Sequence, residues 1–189
     1  MKIVNKVILF TAFIAIMGFL LVTCSTKEYI IGEKGPGGGI VFYDKGRVSD
    51  GWRYLEAAPE DQGNLKWASS GFESTNIPDT ETAIGTGKAN TAAIIAVDAN
   101  APAAKACVDY RGGDKRDWFL PSRGELNEMY KAHSLLGISS ELSFWSSSQA
   151  NDNFAWYQNF YRDSDHGQNG FRKSPYENYV PNVRAVRAF

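Results

Sequence analysis

Cysteine is nearly absent: the 189-residue chain has two, Cys24 and Cys107. If Cys24 is covalently modified, no intrachain disulfide can form and stability must come from packing. Histidine is as scarce. His133 and His166 stand in no metal-ligand spacing and beside no cysteine pair, which removes the usual zinc frames. Asp163, Asp165 and Asn169 are close in sequence but form no Asp-x-Asp-x-Asn-Gly calcium loop with a distal Glu. Ser146, Ser147 and Ser148 lack the flanking glycines of a nucleophile elbow. Excess positive charge is missing too. Twenty basic against 21 acidic side chains give a net charge of −1 with no basic stripe, so no nucleic-acid partner is expected. Beyond residue 22 there is no long apolar run. These absences point away from an enzyme, and no catalytic residue, metal ligand or cofactor is assigned.

What is present begins at the N-terminus. Lys2 and Lys6 precede an apolar run over 7–22, the layout of a secretory signal covering residues 1–23. The 16-residue run is shorter than the roughly 20 residues of a spanning helix, although a single spanning anchor is an alternative. "LVTC" resembles a bacterial lipobox: Leu21 holds the third place before Cys24, and Thr23 replaces the usual smaller residue. The resemblance implies lipidation at Cys24 and an exported lipoprotein anchored at the outer membrane or cell surface. An ordinary secretory signal with an incidental Cys24 is the competing reading. Residues 24–31 then read as a tether and 32–189 as one domain. Loss of residues 1–23 takes two lysines and leaves 18 basic against 21 acidic residues.

Residues 40–43 and 52–57 read as strands joined through a Gly- and Asp-containing turn. "GPGGG" (35–39) enters a strand without a following Gly-Lys-Ser/Thr, so it reads as backbone that must bend or approach closely, not as a phosphate loop. Residues 60–85 read as a long loop holding Trp67 and Phe72. Helices are expected over 87–98, with Thr86 as cap, and 102–110, with Pro102 in the first turn and Ala104, Cys107 and Val108 on one face. "WFL" (118–120) reads as a short buried strand ended by Pro121. Ser122 and Glu125 form a capping box for a helix whose inner face holds Leu126, Met129, Tyr130 and His133, and which Gly137 ends. His133 and Cys107 read as structural. Residues 143–149 and 153–161 read as paired strands, with Trp156 and Phe160 on one face and Tyr157, Asn159 and Tyr161 on the other. The last stretch, interrupted by Pro181, reads as an edge or bulged strand, with Arg184 and Arg187 on opposite faces.

Three segments, "GGGIVFYDKG…WRYLEAAP", "DWFLPSRGEL" and "FWSSS…AWYQNF…VRAVRAF", together resemble the Lcl C-terminal-like domain family of bacterial surface proteins. That family is similar to the formylglycine-generating-enzyme branch of the C-type lectin-like fold. The resemblance implies an α+β domain with a small twisted antiparallel sheet, two or three helices and long irregular loops. It also implies a ligand face built from the last third of the chain. The cysteines used by that branch near the chain end have no counterpart after Cys107, so no catalysis carries over. The Glu-Pro-Asn and Trp-Asn-Asp tripeptides of calcium lectins are absent. Lipoproteins of this kind in spirochaetes include variable proteins of diversity-generating retroelements, whose binding positions are diversified. On that likeness Gln168, Lys173 and Glu177 would be unvaried positions.

The stretch "NFYRDSDHGQNGFRKSPYENY" (159–179) has five aromatics, six charged side chains and many small polar residues. Tyr with Ser, Gly and Asn is the composition of binding surfaces: stiff amphipathic rings supply area and small polar groups adapt their hydrogen bonds. The expected ligand-binding residues are Tyr157, Asn159, Tyr161, Arg162, Asp163, Asp165, His166, Phe171, Arg172, Tyr176 and Asn182, with Tyr179 a further anchor. The expected partners are a macromolecular ligand, protein or glycan, and the membrane through the anchor. The alternatives are an envelope structural protein with a fixed partner and an enzyme of unrecognised type.

Overall fold

Asp50 and Gly51 both take positive φ (52° and 81°), the geometry that turns one strand directly into an antiparallel neighbour. They join β1 (Ile40–Ser49) to β2 (Trp52–Ala57), with Ser49 opposite Trp52. The computed structural model describes residues 27–161, 168–173 and 179–189. Within them the remaining elements are β3 (Gly63–Asn64), α1 (Gly87–Val97), α2 (Pro102–Asp109), a 3-10 turn (Gly112–Asp114), α3 (Arg123–Lys131), β4 (Ser143–Asn151), β5 (Phe154–Asn159), β6 (Gln168–Arg172), β7 (Asn182–Val183) and β8 (Val186–Ala188). The architecture is α+β. The single small sheet expected is two: a three-stranded sheet in the order β1-β2-β8, and a five-stranded one in the order β3-β7-β4-β5-β6. One pair, β4 with β7, is parallel.

The closing segment corrects the edge-strand expectation. After Pro181 the chain enters the interior of the larger sheet as β7, crosses at Arg184–Ala185, and joins the smaller sheet as β8. Both arginines are buried at the crossing. Arg184 bonds Asp61 at 2.5 Å and the Ala58 carbonyl at 2.8 Å, while Arg187 bonds Asp117 at 2.6 Å and Glu56 at 2.9 Å. Glu56 also explains the glycine run. Its carboxylate accepts the N–H groups of Gly37 (2.9 Å) and Gly39 (3.1 Å). A Cβ at Gly35 or Gly37 would fall 2.5 or 2.7 Å from a Glu56 oxygen, and one at Gly39 would meet the Ala57 carbonyl oxygen at 2.3 Å. The close approach expected of "GPGGG" is therefore onto an internal carboxylate.

The Ser122–Glu125 capping box forms in both directions. Glu125 does more: buried, it also accepts the Gly85 N–H at 2.9 Å, immediately before α1. Burial pushes its carboxyl above the usual range, against the opposing pull of these N–H groups. Thr86, expected to cap α1, makes no cap bond; its hydroxyl donates back to the Ala83 carbonyl at 2.7 Å. Pro102 opens α2 as expected, and Ala104 and Cys107 are buried, but Val108 is exposed. Burial pushes the Cys107 thiol up, as suits an inert core residue. α3 ends at Lys131; Gly137, at φ 63°, closes the turns that follow instead of the helix.

Alternation along β4 sends Phe144 and Trp145 into separate cores. Phe144 joins Phe42, Leu55, Phe119, Leu126, Met129 and Phe160. Trp145 joins Ile94, Cys107, Leu120, Val183 and Trp67. Trp67 is thus core, although its segment reads as loop, and its indole N–H donates to the Ser146 carbonyl at 2.8 Å. The three serines of β4 are buried. Ser146 donates to the Trp156 carbonyl, Ser148 to the Glu81 carbonyl, and Asn90 donates to Ser147. They tie the long loop and α1 to the sheet.

Candidate functional site

Among the described residues, aromatic and polar side chains of the C-terminal third line β5 and β6, the last two strands of the larger sheet. β6 pairs with β5 from Phe154↔Arg172 to Gln158↔Gln168 and has no neighbour on its other side among the described strands. Each end of β6 is held by a side chain. At the first end, Gln168 accepts from Arg123 Nε at 2.9 Å and donates to the Arg123 carbonyl at 2.9 Å and to Gln158 Oε1 at 3.0 Å. Gln158, buried, donates in turn to Asn127 at 3.2 Å. The Arg123 guanidinium lies 3.9 Å over the Trp156 ring. This network joins β6 through β5 to α3.

At the other end Lys173 is buried although charged. Its ammonium donates to the carbonyls of Thr75 (2.6 Å) and Asp152 (2.8 Å) and lies 4.9 Å from the Trp67 ring centre. Its own carbonyl accepts the N–H groups of Trp67 and Ala68. Burial lowers its pKa to about 8, only partly offset by the Asp152 carboxylate.

Between these clamps Asn169, Gly170 and Arg172 are exposed. Phe171 turns inward and begins an aromatic ladder: Phe171–Tyr157 at 5.1 Å, Phe171–Trp145 at 5.9 Å and Phe171–Tyr179 at 5.4 Å. The ladder runs from the buried Trp145 to Tyr179, which is 45 % exposed. Beside Tyr179 a groove of about 450 Å³ is lined by Asn64, Glu141, Ser143 and Asn182. Tyr161, 69 % exposed, stands beyond β5.

The expected contact residues therefore separate. Tyr161 and Arg172 are displayed. Tyr157 and Phe171 are half-buried rungs whose outer neighbour, Tyr179, reaches solvent. Asn159 accepts the Tyr161 N–H at 2.9 Å and shapes the turn after β5. Asn182 is buried in β7 with its amide aimed at the Ser143 carbonyl, so it supports the groove from below. Of the expected contacts, Tyr157 and Asn159 are thus half-buried and Asn182 is buried. Arg162, Asp163, Asp165, His166, Tyr176 and Cys24 lie outside the described residues. Sequence reasoning missed the Arg123–Trp156 pair and the groove; the capping-box helix that carries Arg123 was its only available signal.

His133 packs as a structural residue, stacked on Tyr130 at 5.6 Å with Nδ1 2.7 Å from the Tyr130 carbonyl oxygen. Among the described residues no three His, Cys, Asp or Glu side chains cluster as a metal ion would require. No protein-family model matches the chain, and no curated protein matches it significantly.

Proposed function

We propose that this chain is an exported, lipid-anchored surface protein whose C-type lectin-like domain binds a macromolecular ligand, a protein or glycan, at the free edge of β6. The observation that carries the reading is the division of labour along β6. Gln168 and Lys173 are committed to the scaffold through side-chain bonds at both ends, while Gly170 and Arg172 between them face solvent. A strand held this way tolerates changes on its exposed face, because the bonds that fix its place are made elsewhere. Gln168 and Lys173 are two of the positions that a diversified binding protein would keep constant. The variable positions would be 162–167, the exposed part of β6 and 174–178 apart from Glu177. Tyr161 and Tyr179 supply rigid aromatic area and Arg172 a charged, bidentate-capable contact, the residue types that dominate binding energy at interfaces.

The test uses the full chain against a panel of immobilised glycans and extracellular proteins. For the ligand found there, Tyr161→Ala with Arg172→Ala and Tyr179→Ala weakens binding tenfold or more. The melting temperature stays within about 3 °C, because these side chains are exposed. Unchanged binding by the triple variant, or no ligand of either class, contradicts the proposal.

A further inference from the structure

The expected tether is shorter than the sequence suggests. Tyr29 packs edge-on against Tyr54 (5.5 Å) and Phe189 (5.1 Å), and its N–H donates to the Tyr54 hydroxyl at 3.1 Å. Glu28 pairs with Arg53 at 3.0 Å. Gly32 then bonds Val41 at 2.8 Å, and Lys34 bridges to Ile40. The chain is thus fixed to the smaller sheet from Glu28 onward. Only residues 25–28 separate Cys24 from Tyr29, and a fully extended chain of that length spans about 17 Å. An acyl group on Cys24 would hold the Tyr29 side of the domain within that distance of the bilayer surface.

Three exposed aliphatic side chains stand on that side, beside the charged Lys27, Glu28, Glu33 and Lys34. Ile30 is 71 % exposed, Ile31 47 % and Leu135 58 %. A Leu135 methyl lies 3.9 Å from where a Gly32 Cβ would stand, so the three belong to one neighbourhood. Lys27 and Lys34, in the same stretch, have no acidic partner among the described residues. Exposed branched aliphatics flanked by lysines suit the boundary between headgroups and acyl chains.

We infer that the surface formed by Ile30, Ile31 and Leu135 rests on the lipid surface, so that the domain is docked on the membrane instead of swinging from a free tether. The inference rests on the lipid anchor of the proposed function. It fixes which face of the domain is turned away from solvent, and that face is on the smaller sheet, whereas β6 is the edge of the larger one.

Cys107 is buried, so Leu135→Cys creates a single reactive thiol in the acylated chain. An environment-sensitive fluorophore there is read in phosphatidylcholine–phosphatidylglycerol vesicles. A second label at Tyr161→Cys serves as control. The expected result is a blue shift and shielding from an aqueous quencher at 135, with 161 unshielded. Ile30→Asp with Ile31→Asp should abolish the shielding at 135. Equal quenching at 135 in vesicles and in the non-acylated Cys24→Ser chain overturns the docking while leaving the anchor intact. Absence of acyl chains on Cys24 by mass spectrometry overturns the anchor and the docking with it.

Discussion

Glu56→Ala lowers the stability of the domain by about 3–5 kcal/mol, the range found when one partner of a buried ion pair is removed. Three donors lose their acceptor at once: the Gly37 and Gly39 N–H groups and Arg187 Nη1. The guanidinium keeps Asp117 but stays buried with one arm unpaired. The backbone bonds from the Gly35 N–H to the Gly39 carbonyl and from the Gly38 N–H to the Gly35 carbonyl remain, but they hold the loop only to itself. For a domain of this size the loss corresponds to a fall of about 10 °C or more in Tm. Thermal unfolding followed by circular dichroism measures it. A change below about 1 kcal/mol would mean that the loop is held by something else.

The second large effect is a pH dependence set by Lys173. Its folded pKa of about 8 is below that of a lysine in the unfolded chain, so the folded state gives up its proton first. Between pH 8 and about 10.5 the unfolded chain therefore binds more protons than the folded one, and stability rises with pH across that window. Below pH 8 both states are protonated and the penalty of burying the charge is fully present. Lys173→Met removes the titration. Other lysines and tyrosines titrate in the same window, but they cancel in the comparison of the two proteins. The stability of the native chain relative to Lys173→Met should climb by on the order of 2–3 kcal/mol between pH 7.5 and 10.5. Urea unfolding at a series of pH values reads this directly. Parallel curves would show that Lys173 is solvated in the folded protein.

Elements whose partners lie within a few residues were legible in the sequence. The capping box needs only Ser122 and Glu125, and the β1–β2 turn only Asp50 and Gly51. Features decided by distant partners were not. Thr86 reads as a cap because nothing local announces that Glu125, on another helix, serves that end of α1. Trp67 sits among polar loop residues, and only the fold reveals that it faces Ile94 and Trp145. Arg184 and Arg187 read only as side chains on opposite faces of a strand; their acids, Asp61, Glu56 and Asp117, come from three other segments. The stretch after Pro181 reads as an edge or bulged strand, yet β7 is threaded between β3 and β4. In the candidate site the aromatic-polar composition of 159–179 marked the right region. It did not separate displayed rings from packed ones, because Tyr157, Phe171 and Tyr179 differ in depth along one ladder and not in residue type.

The separation of scaffold from display along β6 is tested most directly by substituting every residue from 157 to 182 in turn and scoring each variant for folding by protease resistance. A display edge requires a split pattern. Tyr161, Gly170 and Arg172 should accept most residues, while Gln158, Gln168, Lys173 and Asn182 accept few. Uniform intolerance across the stretch would make it a packed structural segment, and the proposal of a binding edge would fall.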